Sequence, residues 1–226
     1  MTAPQAYGST GDAVTRKLAV VSAGLGVPSS TRLLADRLVQ ASTDRLHVEG
    51  IAVEITVIEL RDHAMAITGN LLNGFAGPEL ESAIESLTGA DGAIVTTPIF
   101  TTSYSGLFKS FVDVIEPGAL AGLAVLIGAT GGTERHSLAL DYAMRPLFTY
   151  HHAIVVPTSV YAATGDWGNA GGNGAAGLAE RIGRAATELA ALMRGSTRSN
   201  EVHDPFAIPA GFGPAGFSPT GPYSRP

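Results

Sequence analysis

Hydroxyl and glycine residues cluster in the stretch SAGLGVPSST, which follows the apolar run KLAVV and precedes a stretch with helical spacing. Four of the hydroxyls lie close to the start of that helix, on Ser22, Ser29, Ser30 and Thr31. The free N–H groups and the dipole of a helix N-terminus favour an anion. The stretch contains no lysine or arginine, and Arg32 follows at its rim. The pattern predicts a phosphate site built from hydroxyls and amides, with an ordinary loop and a serine N-cap as the alternative.

The same stretch partly matches the G-x-G-x-x-G loop that holds the pyrophosphate of a dinucleotide. Gly24 and Gly26 supply the first two glycines, but Ser29 stands where the third would be. Glu59 closes the second predicted strand, where a dinucleotide fold places the acid that binds ribose. A dinucleotide site and a site for a single phosphate therefore both remain open at this point.

Two further loops carry small, hydroxyl and apolar residues. The stretch TTPIFTTSYSGLFKSFVD, residues 96–113, breaks a buried strand at a proline and then offers Ile99, Phe100 and several hydroxyls. Such a loop provides apolar bulk for a flat ring and donors for its polar edge, as the isoalloxazine of a flavin requires; a loop packed under its own helix is the alternative. The stretch GATGGTERHS, residues 128–137, lets the backbone approach a ligand closely at two adjacent glycines.

The elements that position these loops alternate between strand and helix. The hydrophobic patterning predicts buried strands at 17–23, 52–60, 91–98, 123–130 and 153–161, and helices at 31–46, 77–90, 105–117, 137–151 and 177–195. Five such strands predict an α/β fold with a doubly wound parallel sheet in the order 2-1-3-4-5 and helices on both faces. The three loops then meet beyond the carboxyl ends of strands 1, 3 and 4, at one crevice.

Composition narrows the classes of function. The 226 residues include no cysteine, which excludes disulfides and thiolate chemistry, and the net charge of −6 does not favour nucleic acid. We find no signal sequence and no apolar run long enough for a membrane helix, so we expect a cytoplasmic protein. Adjacent His151 and His152 point to opposite sides of a strand, so no metal site is predicted. We expect flexible tails at 1–15 and 196–226 around a domain at 16–195.

Three blocks of sequence carry a resemblance to a known family. The PSST of the first loop, TPIFTTSYSGLFKSFVD and ATGGTERHSLALDYAMRPLF are similar to the NADPH-dependent FMN reductases of the flavodoxin-like superfamily. The likeness runs from about Leu18 to about Leu192 and is strongest to the branch that partners luciferase-like flavin monooxygenases. Members often carry Arg or Lys in the first loop, and often Tyr at the position of Phe100; this chain departs at both places.

The resemblance implies a flavodoxin-like, FMN-binding domain and an NAD(P)H:flavin oxidoreductase, with reduced FMN passing to a monooxygenase. It assigns the FMN phosphate to Ser22, Ser29, Ser30 and Thr31, one side of the ring to Pro98, Ile99, Phe100 and Thr101, and the other side to Thr130, Gly131 and Gly132. Hydride transfer between stacked rings needs no catalytic acid or base, so no catalytic residue is predicted. The alternatives are an FMN-retaining quinone or azo reductase, a non-enzymatic flavodoxin-type carrier and a Rossmann dehydrogenase.

The resemblance also implies a homodimer or tetramer, with Tyr104 and the following helix near the partner subunit. The sequence supports assembly independently, because five large apolar residues crowd into 12 positions: Phe100, Tyr104, Leu107, Phe108 and Phe111. One helix face buries two or three of these side chains. We expect the others to form an apolar patch, which soluble monomers rarely expose at large size.

Overall fold

The structure, a computed structural model, describes residues 14–167 and 173–198. Its central sheet contains four long strands: β1 (Thr15–Ser22), β2 (Ala52–Glu59), β3 (Gly92–Phe100) and β5 (Ala124–Gly131). Three short strands join them: β4 (Ser103–Tyr104), β6 (Ile154–Val155) and β7 (Val160–Ala163). The order is β2-β1-β3-β5-β6, with β7 also beside β5 and all of these pairings parallel. The predicted doubly wound sheet is confirmed.

The fifth predicted strand is the least regular of the set. The prediction was one strand over 153–161, whereas the chain forms β6 and β7 in succession along the same edge of β5. Pro157 lies between the two pieces and has no N–H for the ladder, which explains the interruption. The sheet order is unaffected, because both pieces continue the position of strand 5.

Helices cover both faces of the sheet and divide the core in two. On one face lie α1 (Ser30–Val48) and α6 (Asn173–Arg194), packed against side chains such as Val20 and Leu126. On the other face lie α2 (Ala64–Asn73), α3 (Pro78–Thr88), α4 (Gly106–Asp113) and α5 (Arg145–Tyr150). Among the described residues, no helix is long and apolar enough to cross a membrane.

Two helical segments differ from the prediction. Helix α2 was not predicted, because its sequence, AMAITGNLLN, carries apolar residues at adjacent positions and not in a one-sided stripe. In the structure only Ile67 of this helix is buried. The helix predicted at 137–151 begins as a π-helical turn, Leu140–Met144, and continues as α5 with Pro146 in its first turn. The wider turn and the proline make this helix irregular at its start.

The end of the described chain is tied to the opposite edge of the sheet from the three loops. The guanidinium of Arg198 donates to the carbonyls of Thr88, Ala90, Ala119 and Ala121, which lie at the end of α3 and ahead of β3 and β5. One side chain thereby satisfies carbonyls that have no ladder partner there. The predicted tails, apart from Val14, Thr15 and residues 196–198, lie outside the described residues.

Candidate functional site

Three loops meet at the carboxyl edge of the parallel sheet. The first connects β1 to α1, the second is formed by the β3–β4 hairpin, and the third follows β5. The first and third are joined by the hydroxyls of Thr31 and Thr130, whose oxygens lie 2.8 Å apart in the buried interior. A Cβ built on Gly131 would lie 3.7 Å from the Cβ of Ile99, so the second and third loops are also in contact. The predicted crevice is therefore assembled from residues far apart in sequence.

The first loop presents hydroxyls at the start of α1. Ser29 is the N-cap, and its Oγ accepts a hydrogen bond from the N–H of Arg32 at 3.2 Å. Ser30 is exposed, whereas Ser22 is fully buried and its Oγ has no hydrogen-bond partner within the described chain. A Cβ on Gly24 would lie 2.0 Å from the Ser29 Oγ, so a glycine is needed here to keep that hydroxyl in place. An orphaned buried hydroxyl beside free helix amides is what a bound phosphate would complete.

The second loop is a two-residue hairpin at the end of β3. The strand continues past Pro98. Its last pairing with β1 joins Ser22 to Thr96, so the missing N–H of the proline costs no hydrogen bond to β1. The turn residues Thr101 and Thr102 have φ of 48° and 71°, the left-handed backbone of a type I′ turn. β-branched residues rarely adopt this conformation, and such strain is concentrated at functional sites.

The hairpin offers an apolar surface beside the first loop. Pro98 and Ile99 are half-buried, while Phe100 is 47% exposed. The loop returns to α4 through Ser105, whose N–H donates to Thr97 Oγ1 at 3.1 Å and whose Oγ caps the helix. The strand end and the helix start are thus fixed to each other, and the residues between them project at the crevice.

The third loop is held by an aromatic side chain that the sequence analysis did not identify. Tyr161 in β7 donates its hydroxyl to the carbonyl of Thr133 at 2.8 Å, and burial raises the pKa of this phenol. A Cβ on Gly131 would lie 2.1 Å from that hydroxyl, whereas a Cβ on Gly132 would meet nothing within 4 Å. Gly131 is therefore required for close packing, and Gly132 faces open space. Nothing in the local sequence pattern marked Tyr161, because its partner lies 28 residues away.

Charged residues border the first loop on the side of β2. Arg32 pairs with Glu59 at 2.6 Å and with Asp36 at 2.7 Å. Hydrogen bonds to these two carboxylates, first Asp36 and then Glu59, raise the pKa of the guanidinium. Arg61 was also missed by sequence reasoning; its Nη1 reaches the carbonyl of Gly26 at 3.4 Å. Glu59 is thus occupied by an arginine, which weakens the case for a ribose-binding acid.

Trp167 and the two adjacent histidines lie outside the three loops. The Arg37 guanidinium lies over the ring of Trp167, with its Cζ 4.9 Å from the ring centre. Trp167 packs against the part of the core that α1 and α6 cover. His151, the C-cap residue of α5, is buried, and His152 is exposed. Within residues 14–167 and 173–198, no group of three or more His, Asp and Glu side chains could hold a metal ion.

The fold and the site together define a flavodoxin-like α/β protein in which three loops meet at the carboxyl edge of the sheet. The family model of the NADPH-dependent FMN reductases matches residues 16–168. The chain is 38% identical over 153 residues to an FMN reductase (NADPH) of Pseudomonas aeruginosa, covering 68% of this chain and 80% of the relative. It is 34% identical over 176 residues to an NADH-dependent FMN reductase, SfnE, of Pseudomonas putida, covering 78% and 91%.

A solved structure supports the same assignment. The X-ray structure of an oxidoreductase from Corynebacterium diphtheriae superimposes with a TM-score of 0.78 at 44% identity, covering 81% of this chain and 99% of that one. The chain belongs to the NADPH-dependent FMN reductase family. The predicted enzyme class, an NAD(P)H:flavin oxidoreductase that uses FMN, is confirmed by this membership.

Proposed function

We propose that this reductase binds FMN as a passing substrate and delivers reduced FMN to a flavin-dependent monooxygenase. The observation that carries the proposal is the composition of the first loop. It offers hydroxyls and amides to a phosphate but no lysine or arginine, and the two nearby arginines, Arg32 and Arg61, are already paired with carboxylates. A phosphate dianion held without a free cation is held weakly, which suits a flavin that must leave. We place this activity in the cytoplasm, where reduced nicotinamide nucleotides are available.

The same proposal assigns the residues that contact FMN. Ser22, Ser29, Ser30 and Thr31 hold the phosphate, with the buried, unpartnered Ser22 hydroxyl as the donor that most needs a ligand. The apolar surface of Pro98, Ile99, Phe100 and Thr101 borders the ring on one side, and Thr130, Gly131 and Gly132 border it on the other. When bound, FMN supplies the acceptor for a hydride from NADPH or NADH. The chain aligns the rings and excludes water, and no acid or base is required of it.

Comparing FMN with riboflavin tests the phosphate assignment. Each hydrogen bond to a charged group contributes roughly 1.5–3 kcal/mol, so FMN should bind at least tenfold more tightly than riboflavin. Ser29→Ala should weaken FMN binding and leave riboflavin binding unchanged, while folding loses about 1 kcal/mol for one helix cap. Ser110→Ala, on α4, is a matched control. Equal affinities of the wild-type protein for the two flavins would refute the phosphate site.

Release of the flavin is tested by mixing the reductase with a monooxygenase. If FMN passes through, the protein is purified largely without flavin, and NAD(P)H oxidation depends on the concentration of added FMN. Trapping reduced FMN on a flavin-dependent monooxygenase should then support turnover of that partner's substrate. FMN that remains bound through gel filtration and is reduced only in place would favour the quinone or azo reductase instead.

We also propose that the protein is a homodimer or a tetramer, assembled through the helices beside the hairpin. Phe108 and Phe111 belong to the predicted cluster of five large apolar residues. Both are in the core, at 0% and 1% exposure, so they do not form the contact surface. Large exposed apolar side chains lie instead on neighbouring segments of the same face. Met65 and Leu72 lie on α2, and Phe75 follows the C-cap of that helix. Tyr142 and Tyr150 lie on the π-helical turn and on α5.

This set of five side chains, the apolar patch, supplies the argument for assembly. Phe75 is 79% exposed and Leu72 is 84% exposed, values that are unusual for several large apolar residues on one face of a soluble protein. A two-fold axis through the α2–α4 face would bury each patch against its copy. Phe75→Glu should lower the mass measured by sedimentation, whereas Val48→Glu, on the opposite face, should not. A wild-type monomer at micromolar concentration would contradict the proposal.

A further inference from the structure

Glu59 lies at the edge of the proposed phosphate site. It is the last residue of β2, and the register pairs it directly with Ser22, the last residue of β1. The next N–H, that of Leu60, donates to the carbonyl of Ser22 at 2.9 Å. Adjacent strands lie about 4.8 Å apart. The Glu59 carboxylate is therefore a neighbour of the strand end from which the first loop departs.

Arg32 links this carboxylate to the start of α1. It is the third residue of the helix, and its own N–H donates to the N-cap hydroxyl of Ser29. Its guanidinium extends to Glu59 with a contact of 2.6 Å, and the Glu59 side chain is only 17% exposed. Arg32, the cation closest to the loop in sequence, is thus held by a carboxylate at the end of β2, 27 residues away.

A phosphate at the start of α1 meets both partners of this pair. The guanidinium attracts the dianion, and two charge-assisted hydrogen bonds from one arginine to a phosphate are a favoured geometry. The Glu59 carboxylate repels the dianion and competes with it for the same donors. Since the side chain of Glu59 is mostly buried, solvent screens this repulsion less than it would at the surface.

We propose that Glu59 sets the affinity for FMN by competing with the flavin phosphate for Arg32. This inference rests on the proposed function. Arg32 is the cation that the phosphate recruits, and Glu59 is a specificity-determining residue that keeps the phosphate weakly held. The Arg32 guanidinium gives the crevice a positive charge that selects a phosphorylated flavin, and it returns to Glu59 when the flavin leaves.

Asp36 provides a matched control. It is the second carboxylate bonded to Arg32, and it lies one turn further along α1 with its side chain 52% exposed. Both acids can be replaced by their amides with almost no change in shape. Asp36→Asn removes an exposed helix pair of small value. Only Glu59→Gln removes charge from the strand edge beside Ser22.

The experiment is a titration of apo-protein with FMN and with riboflavin, in which quenching of the flavin fluorescence measures binding. We expect Glu59→Gln to lower the Kd for FMN roughly tenfold, with a matching fall in the rate of FMN dissociation measured by stopped flow. Arg32→Gln should raise the Kd for FMN by a similar factor. Riboflavin affinity should stay within about twofold for both variants. Asp36→Asn releases Arg32 only from an exposed carboxylate, so it should lower the Kd for FMN by a smaller factor than Glu59→Gln.

A double variant tests whether the two residues act together. In the Arg32→Gln background, Glu59→Gln should tighten FMN binding by a smaller factor, because the competition for the guanidinium is gone. An unchanged Kd for FMN in Glu59→Gln, or an equal change for FMN and riboflavin, would overturn the inference. Failure of the wild-type protein to bind FMN would instead overturn the proposed function, so the two results are distinguishable. Thermal unfolding of each variant identifies any loss of folded protein.

Discussion

The adjacent glycines of the third loop, Gly131 and Gly132, have different environments, and alanine at each should have different effects. Neither has the left-handed φ that disfavours a side chain, so the comparison isolates the space around each Cβ. At Gly131 the new methyl would lie 2.1 Å from the hydroxyl of Tyr161 and 3.1 Å from its Cζ. At Gly132 it would meet nothing within 4 Å.

The expected cost of Gly131→Ala follows from what must move. Tyr161 is 6% exposed and has little room to withdraw, and an overpacked interior site costs about 1–3 kcal/mol. Displacing the ring also weakens the 2.8 Å hydrogen bond to the Thr133 carbonyl, which contributes about 1 kcal/mol. We expect a total loss of about 2–4 kcal/mol and a fall in Tm of roughly 5–15 °C. Gly132→Ala should change stability by less than about 0.5 kcal/mol.

Urea denaturation and thermal unfolding of the two variants give these values. A third variant, Gly131→Ala with Tyr161→Phe, removes the hydroxyl that the new methyl would strike, and it should recover at least half of the loss. Because the two residues are in contact, we expect a coupling energy of about 1–2 kcal/mol in the double-mutant cycle. Equal, small effects of the two single alanine substitutions would show that Tyr161 does not hold the loop as described.

Three further predictions concern stability. Replacing Thr101 by Asn and Thr102 by Gly should raise the free energy of unfolding by about 1–2 kcal/mol, because Asn and Gly accept the left-handed backbone of this turn. Urea denaturation that shows no gain in stability would argue against strain at the hairpin. Arg198→Ala should cost about 2 kcal/mol through the loss of its carbonyl contacts, and Arg198→Lys should restore only part of this in the same assay; a change below 0.5 kcal/mol for alanine would contradict the role of this residue. Desolvation lowers the pKa of His151 in the folded chain, so the unfolded chain binds more protons and stability should fall as the pH drops below about 6.5, where histidine ordinarily titrates. His151→Gln should flatten that part of the pH profile of Tm, and an unchanged profile would show that another group is responsible.

Much of the fold could be predicted because its signals are local. The β-branched runs of β1, β3 and β5 and the one-sided apolar spacing of α1 and α3 indicate their own conformations. Alternation of strand and helix then leaves few sheet orders. Helix α2 was missed for the complementary reason. Its apolar residues stand at adjacent positions, so the sequence carries no clear helical period there, and its place is set by packing against α4.

The sequence by itself determined the three loops and the residue types they bring to the crevice, because glycines, prolines and hydroxyls mark turns and helix starts locally. Tertiary structure alone decided how those residues are paired. The Thr31–Thr130 contact joins positions 99 apart, and the pairing of Arg32 with Glu59 depends on the register of β1 and β2. It also decided that Phe108 is in the core while Phe100 is exposed. Such contacts depend on how whole elements pack in space, and local sequence patterns do not specify that packing.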